Sequence, residues 1–263
     1  MKKNPSSNNI TLSVLRKMKG KQKIVCLTSY DATFSRIMDD AGIDIILVGD
    51  SLGMVIKGKD DTVCVTMNDV VYHTACVVEG SNRSLIIADM PFMSYNDAES
   101  AVNNAKQLMQ EGGAHMIKLE ANERQIEIIR EMNFCSIPVC AHLGVRPQSV
   151  HKQGGYTLQG KDSESMSRLV ENALAVEEAG ADILLLECVA DDLAKEITST
   201  ISIPVIGIGS GKYCDGQIQV LYDLLGISDP MPKFAQSFMQ ANKSIQDAII
   251  AYIEAVRAEQ FPA

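Results

Sequence analysis

The 263-residue sequence has no apolar run near the ~20 residues that a membrane-crossing helix needs; IDIILVG and DILLLE are among its longest. Its opening, MKKNPSSNNI, carries charge but no apolar core, so no secretory signal is expected there. Positive charge is scarce: 24 Lys+Arg face 33 Asp+Glu, a formal net charge of −9. That balance excludes a broad nucleic-acid face, because phosphate binding needs a basic field. No C-x-x-C pair occurs among the seven cysteines (Cys26, Cys64, Cys76, Cys135, Cys140, Cys188 and Cys214). Several lie in apolar runs, where Cys acts as a small hydrophobe. A reduced, cytoplasmic protein without structural zinc or disulfides is expected. No G-x-G-x-x-G follows the first apolar run, so the dinucleotide fingerprint is missing. The 46% hydrophobic and 22% charged residues are those of an ordinary globular chain, which excludes general disorder.

Short runs rich in Ile and Val recur along most of the chain. They are IVCLTSY (24–30), DIILVGD (44–50), SLIIAD (84–89), HMIKLE (115–120), IPVCAHL (137–143), DILLLEC (182–188), IPVIGIG (203–209) and, more weakly, QIQVLYD (217–223). Each is bounded by Gly, Pro, Ser or Asn and reads as a strand buried on both faces, as in a parallel sheet. Helical patterns alternate with them: Ala32–Ala41 behind an Asp31 cap, then Asn68–Glu79, Asp97–Glu111, Glu123–Met132, Ser165–Ala179 and Asp191–Thr200. Eight strands with intervening helices predict one α/β domain, a single (β/α)8 TIM barrel over residues 1–263. A C-terminal helix is expected over 234–257, with an apolar stripe of Phe234, Phe238, Ala241, Ile245, Ile249, Ile253 and Val256. It could close the barrel's own base. As a helix partly surplus to one barrel, it is expected to pack on a neighbouring subunit instead.

Two connections, 51–67 and 144–163, are long enough to be functional, and on a barrel they sit at the C-terminal ends of the strands. Those ends carry acids: Asp50, Asp89, Glu120 and Glu187. Acids converging on one mouth repel each other in a low dielectric, and a divalent cation with oxygen ligands, Mg²⁺ above all, relieves this. Each acid alone could instead cap a helix. That reading is preferred for Asp31, Asp191 and Asp192; Asp50 and Asp89 do not precede a clear helix start. Lys118 and Glu120 alternate along one strand and so share a face, placed inward near the rim; a buried ion pair without chemistry is the plainer alternative. His142 and Glu187, late in their strands, are each candidates for a general base, although a lone strand histidine is commonly structural. Gly209-Ser210-Gly211 could hold a phosphate, but a tight turn explains it as well, and no P-loop Lys-Ser/Thr follows.

The stretches TSYDATFS, LVGDSLGM, VTMNDVVYHT, IADMPFMSY, MIKLE, PVCAHLGVRPQSV, GGYTLQG, LLLECV, PVIGIGSG and DGQIQV, in this order, resemble the ketopantoate hydroxymethyltransferase family. The resemblance spans about residues 28–234, and LVGDSLGM, AHLG-x-x-PQSV and GGY-x-x-QG together are its most specific part. The chain departs from the family pattern at Cys64, Ala141, His151-Lys152-Gln153 and Ser210, none of them a proposed ligand or base. The resemblance implies a Mg²⁺-dependent barrel. Asp50 and Asp89 would be metal ligands with Glu120 near the metal, Ser51 and Lys118 would contact an oxo-acid, His142 would lie near it, and Glu187 would be the base. The implied reaction transfers a hydroxymethyl group from 5,10-methylenetetrahydrofolate to 3-methyl-2-oxobutanoate, giving 2-dehydropantoate through an enolate that Mg²⁺ stabilises. It also implies a large homo-oligomer, a decamer, with the C-terminal helix reaching a neighbour. Burial under the long loops should raise the Glu187 pKa, since an ordinary Glu is a weak base. The alternatives are a Mg²⁺-dependent oxo-acid carbon–carbon lyase on a similar barrel and a non-catalytic binding barrel. The absence of Cys from 144–163 weighs against the first, and Glu187 beside Asp50 and Asp89 against the second.

Overall fold

The computed structural model describes residues 9–155, 157–241 and 243–262, without the side chain of Gln153; Tyr156 of the GGYTLQG motif lies outside them. Eight parallel strands close in sequential order, β1 (Ile24–Thr28), β2 (Ile45–Val48), β3 (Leu85–Asp89), β4 (Met116–Glu120), β5 (Val139–Gly144), β6 (Ile183–Glu187), β7 (Val205–Ile208) and β8 (Gly216–Gln219), with β8 pairing back onto β1. The expected TIM barrel is therefore the fold. Around it lie α1 (Leu12–Met18), α2 (Ala32–Ala41), α3 (Leu52–Val55), α4 (Met67–Gly80), α5 (Ala98–Gln110), α6 (Gln125–Phe134), α7 (Val150–Gln153), α8 (Ser163–Glu178), α9 (Asp191–Thr200), α10 (Leu221–Leu224) and α11 (Ile245–Arg257). No helix among the described residues is long and apolar enough to cross a membrane.

The strand alternation decides what fills the barrel. Ile24, Cys26, Ile45, Leu47, Leu85, Ile87, Met116, Cys140, Ile183, Leu185, Ile206 and Ile218 form one buried interior cluster, and α1 adds Leu15 and Met18 to it from the N-terminal end. The helix α1, absent from the sequence reading, thus plugs the base. Stepping two residues further along the same strands leads from Ile87 to Asp89, from Met116 to Lys118, from Cys140 to His142 and from Leu185 to Glu187. A period of two keeps these side chains on the inner face. The interior therefore changes from apolar to ionisable towards the C-terminal rim.

Helix ends follow local chemistry. Asp31 caps α2 by accepting from the backbone N–H groups of Thr33 and Phe34, and Gly42 ends it at φ 102, a left-handed conformation open to Gly. Asp191 and Asp192 are not caps: Ala190 holds that position without a side-chain bond, and both acids lie in the first turn, where they favour the helix dipole.

The C-terminal region differs from expectation. The helix spans Ile245–Arg257, not 234–257; the described residues between 231 and 244 form turns and bends. Its apolar side is used by its own barrel. Ala248, Ile249, Tyr252, Ile253 and Val256 are buried against β1 and α2, in the eighth place of the helix ring that α10 is too short to fill. Tyr252 Oη donates to the carbonyls of Cys26 (2.9 Å) and Gln217 (3.1 Å), tying the helix to the seam where β1 meets β8. Phe238 and Phe261 pack edge-on against the Tyr252 ring. Burying each such side chain is worth roughly 1.5–3 kcal/mol before ordering costs. Within one chain the stripe therefore lies against β1 and α2.

Candidate active site

The strand register places the polar residues in adjacent rungs. Asp89 pairs with Lys118, Glu120 with His142, and Gly144 with Glu187. Lys118 and Glu120 both point inward, as their alternation predicts. Lys118 Nζ donates to Asp89 Oδ2 at 2.5 Å, with both side chains almost fully buried. The Asp50 backbone N–H reaches the same oxygen at 3.3 Å. Asp50 is not spent as a cap: α3 begins just after it, but the capping position is Ser51, without a side-chain bond. The Ser51 hydroxyl instead lies 2.8 Å from Tyr30 Oη, which donates to Thr28 Oγ1 at 3.0 Å.

Gln148 organises one wall. Its Nε2 donates to Asp50 Oδ2 (3.0 Å) and the Met90 carbonyl (2.9 Å), its Oε1 accepts from Tyr95 Oη (2.6 Å), and its backbone N–H donates to Glu120 Oε1 (2.9 Å). The loop after β5 is thereby fastened over the strand ends. Tyr30, Tyr95 and Gln148 were not singled out from the sequence. Gln148 lay within the quoted PQSV stretch, but nothing local distinguishes its side chain from that of any loop Gln.

The electrostatics follow from burial. Burial pushes the Asp89 carboxyl up to about 7 despite the opposing Lys118 charge. It pushes Glu120 to about 8, again against Lys118 and with help from Asp50. Glu187 is also raised to about 8, by burial first. Burial works against the Lys118 charge as well, but Asp89, Asp50 and Glu120 outweigh it and hold the ammonium above its ordinary value. His142 is driven well below its ordinary value by burial and by the charges of Lys118 and Arg146, so its ring is neutral. Its Nε2 approaches Glu187 Oε2 at 3.4 Å, and neither ring nitrogen has a hydrogen-bond partner. Six of the seven expected site residues, Asp50, Asp89, Lys118, Glu120, His142 and Glu187, therefore share one mouth, and Ser51 borders it.

A hard cation fits part of this set. Asp89 Oδ1 is buried without any hydrogen-bond partner, an orphaned acceptor beside a second carboxylate at Asp50. Two carboxylates completed by substrate oxygens and water are a usual Mg²⁺ donor set. Among the described residues no three acidic, imidazole or thiol groups are arranged to hold a metal, and Glu120 Oε1 is occupied by the Gln148 N–H.

The other histidines and the Ser210 turn serve the structure. His73 Nδ1 bonds the Tyr30 carbonyl at 2.7 Å and His115 accepts from the Ile86 N–H. His151, three-quarters exposed, pairs with Asp61 at 2.9 Å and joins the loops after β5 and β2. Ser210 is fully buried, its hydroxyl accepting from the Val189 N–H and donating to the Leu186 carbonyl, so its turn reads as a packed connection and not a phosphate cradle.

Gly144 explains how β5 and β6 set the Glu187 position. It sits at φ 100, and a Cβ there would lie 2.2 Å from the Glu187 carbonyl oxygen. Gly144→Ala must shift the end of β6. Turnover is expected to fall at least about tenfold with little change in secondary structure, because small misplacements at a reacting centre are costly. Wild-type turnover by a folded Gly144→Ala protein would contradict this.

The profile of the ketopantoate hydroxymethyltransferase family matches residues 9–263. The chain is 52% identical over 255 residues to the 3-methyl-2-oxobutanoate hydroxymethyltransferase of Alkalilimnicola ehrlichii, covering 96% of this chain and 92% of that protein. It is 50% identical to the protein of the same name from Nitrosococcus oceani, covering 96% and 97%. Among solved structures, 2,3-dimethylmalate lyase superposes with a TM-score of 0.59 at 18% identity, over 80% of this chain and 78% of that one, which is a likeness of fold alone.

Proposed function

This chain belongs to the ketopantoate hydroxymethyltransferase family, and we propose that it transfers a hydroxymethyl group from 5,10-methylenetetrahydrofolate to 3-methyl-2-oxobutanoate in the cytoplasm. The observation that carries the reading is Glu187, its carboxyl raised to about 8, on the strand opposite β2 in the eight-stranded ring that also carries Asp50, Asp89 and Lys118. A carboxyl tuned near neutrality is the group a C–H abstraction needs.

Asp50 and Asp89 would hold one Mg²⁺, which when bound supplies Lewis-acid withdrawal of charge from the oxo-acid's carbonyl. Glu187 takes the proton from C3 of the oxo-acid. Lys118, held charged by its acidic neighbours, offsets the substrate's negative charge and orients it. Neutral His142 turns Nε2 towards Glu187 at 3.4 Å and can donate to or accept from a substrate oxygen there without changing the net charge. Ser51, held by Tyr30, offers a hydroxyl at the rim. The donor's ring opens to an iminium, water adds to it and releases formaldehyde and tetrahydrofolate, and the C3 carbanion equivalent then attacks the formaldehyde carbon while its oxygen takes the proton back from Glu187 to become the hydroxymethyl group.

The test is a steady-state assay with tetrahydrofolate, formaldehyde, Mg²⁺ and 3-methyl-2-oxobutanoate. Formation of 2-dehydropantoate is expected. Failure of the pure protein to form it, or cleavage of a hydroxylated diacid in its place, would overturn the reading in favour of a lyase.

A further inference from the structure

A cleft of about 140 Å³ opens beside the carboxylate mouth, between the loops that follow β3, β4 and β5. It shares a wall with the site, since Glu120 and Gln148 line both. The rest of its lining is unlike the mouth. Phe92 and Met93 stand at the rim, 43% and 61% exposed, as unpartnered flat and soft apolar surface. Asn122 and Gln125 supply amide edges. Gln125 Oε1 is buried and has no hydrogen-bond partner, an acceptor awaiting a donor. Arg146, whose charge reaches His142, forms no ion pair among the described residues. A net charge of −9 makes an unanswered guanidinium at a cleft wall more telling.

Resting on the two-substrate reading above, we propose that this cleft seats the bicyclic pterin head of the one-carbon donor. The two substrates must meet at one carbon, yet differ in kind. The oxo-acid is small and anionic and suits the Lys118 side of the mouth. The donor presents a flat heteroaromatic face, an edge of N–H groups and a ring carbonyl. Phe92 and Met93 supply a face for stacking, Gln125 Oε1 accepts from the N–H edge, and Arg146 donates to the carbonyl. A mostly apolar cleft with a few convergent polar groups is the usual form of such a site. The shared wall keeps the head next to the mouth, while the exposed rim lets the rest of the donor run into solvent.

Phe92→Ala and Gln125→Leu test this by separating the two substrates. Each is expected to raise KM for the folate donor about tenfold, the size of losing one buried hydrogen bond or stacked face. KM for 3-methyl-2-oxobutanoate, and deuterium exchange at its C3, which needs no folate, should stay within about twofold. Donor KM unchanged in both variants, or both KM values rising together, would overturn the assignment. Calorimetric titration with tetrahydrofolate alone provides a readout that does not depend on turnover. Wild-type protein should bind it, and Gln125→Leu should bind about tenfold more weakly. Equal affinities, or no binding by wild type, would overturn the subsite. Wild-type protein that binds tetrahydrofolate but neither exchanges nor turns over would instead sink the reaction proposed above and leave the cleft assignment standing.

Discussion

Replacing Glu187 with Gln is expected to lower C3 proton exchange of 3-methyl-2-oxobutanoate by about 10³-fold, while the oxo-acid still binds with Mg²⁺. Gln keeps the shape of the side chain and removes its basicity. The wild-type profile supplies the sign. The Glu187 carboxyl is raised to about 8, so its basic form accumulates as pH rises, and exchange should climb through that region and level off above it. A carboxylate of ordinary pKa would give a flat profile from pH 6 upward. His142 is the alternative base, and it lies 3.4 Å from Glu187. Its pKa, however, is driven far below the ordinary value, which makes the ring a feeble proton acceptor. Exchange measured by NMR in deuterium oxide at pH 6–9 decides between them. Wild-type exchange by Glu187→Gln would move the base to His142.

Asp50→Ala and Asp89→Asn are each expected to abolish measurable turnover, and the two should differ in stability. Asp89 is the direct partner of Lys118, both nearly without solvent contact. Asn keeps an acceptor there but removes the charge, and breaking a buried pair costs about 3–5 kcal/mol. Asp50 makes no contact with Lys118 shorter than a through-space attraction, so its loss should be milder. A melting curve supplies a readout apart from activity. Mg²⁺ with 3-methyl-2-oxobutanoate, at about 100 times its dissociation constant, should stabilise wild type by about 2.7 kcal/mol. For a chain of this size that corresponds to a Tm rise of roughly 5–10 °C. Neither variant should show the rise. An equal rise in Asp89→Asn would remove Asp89 from the metal site, and no rise in wild type would remove the site itself.

Much of the architecture was legible from local pattern. The eight Ile- and Val-rich runs and the helices between them follow from burial on both strand faces and one helix face, which any short window of sequence displays. The expected Ala32–Ala41 and Asp191–Thr200 helices match α2 and α9 as written, since Gly42 and Ile201 close them locally. The acids at the strand ends were equally legible. Once a run is a barrel strand, its period of two and the position of its last residue place Asp89, Lys118, Glu120, His142 and Glu187 on the inner rim.

What only the tertiary structure decided depends on residues distant in sequence. Gln148 reaches Asp50 across 98 positions, and Tyr252 reaches Cys26 across 226. No local pattern marks an ordinary loop Gln as the strut of an acidic mouth, or tells which strands an amphipathic C-terminal helix runs beside. Within this chain that place was set by closure of β8 onto β1, beside which α11 packs, and by α1, which filled the base. The pKa values near 7 and 8 likewise belong to the closed barrel. A carboxylate at the end of an isolated strand is solvated; the same group enclosed with its neighbours loses water and gains like charges, and only then becomes a base suited to neutral pH.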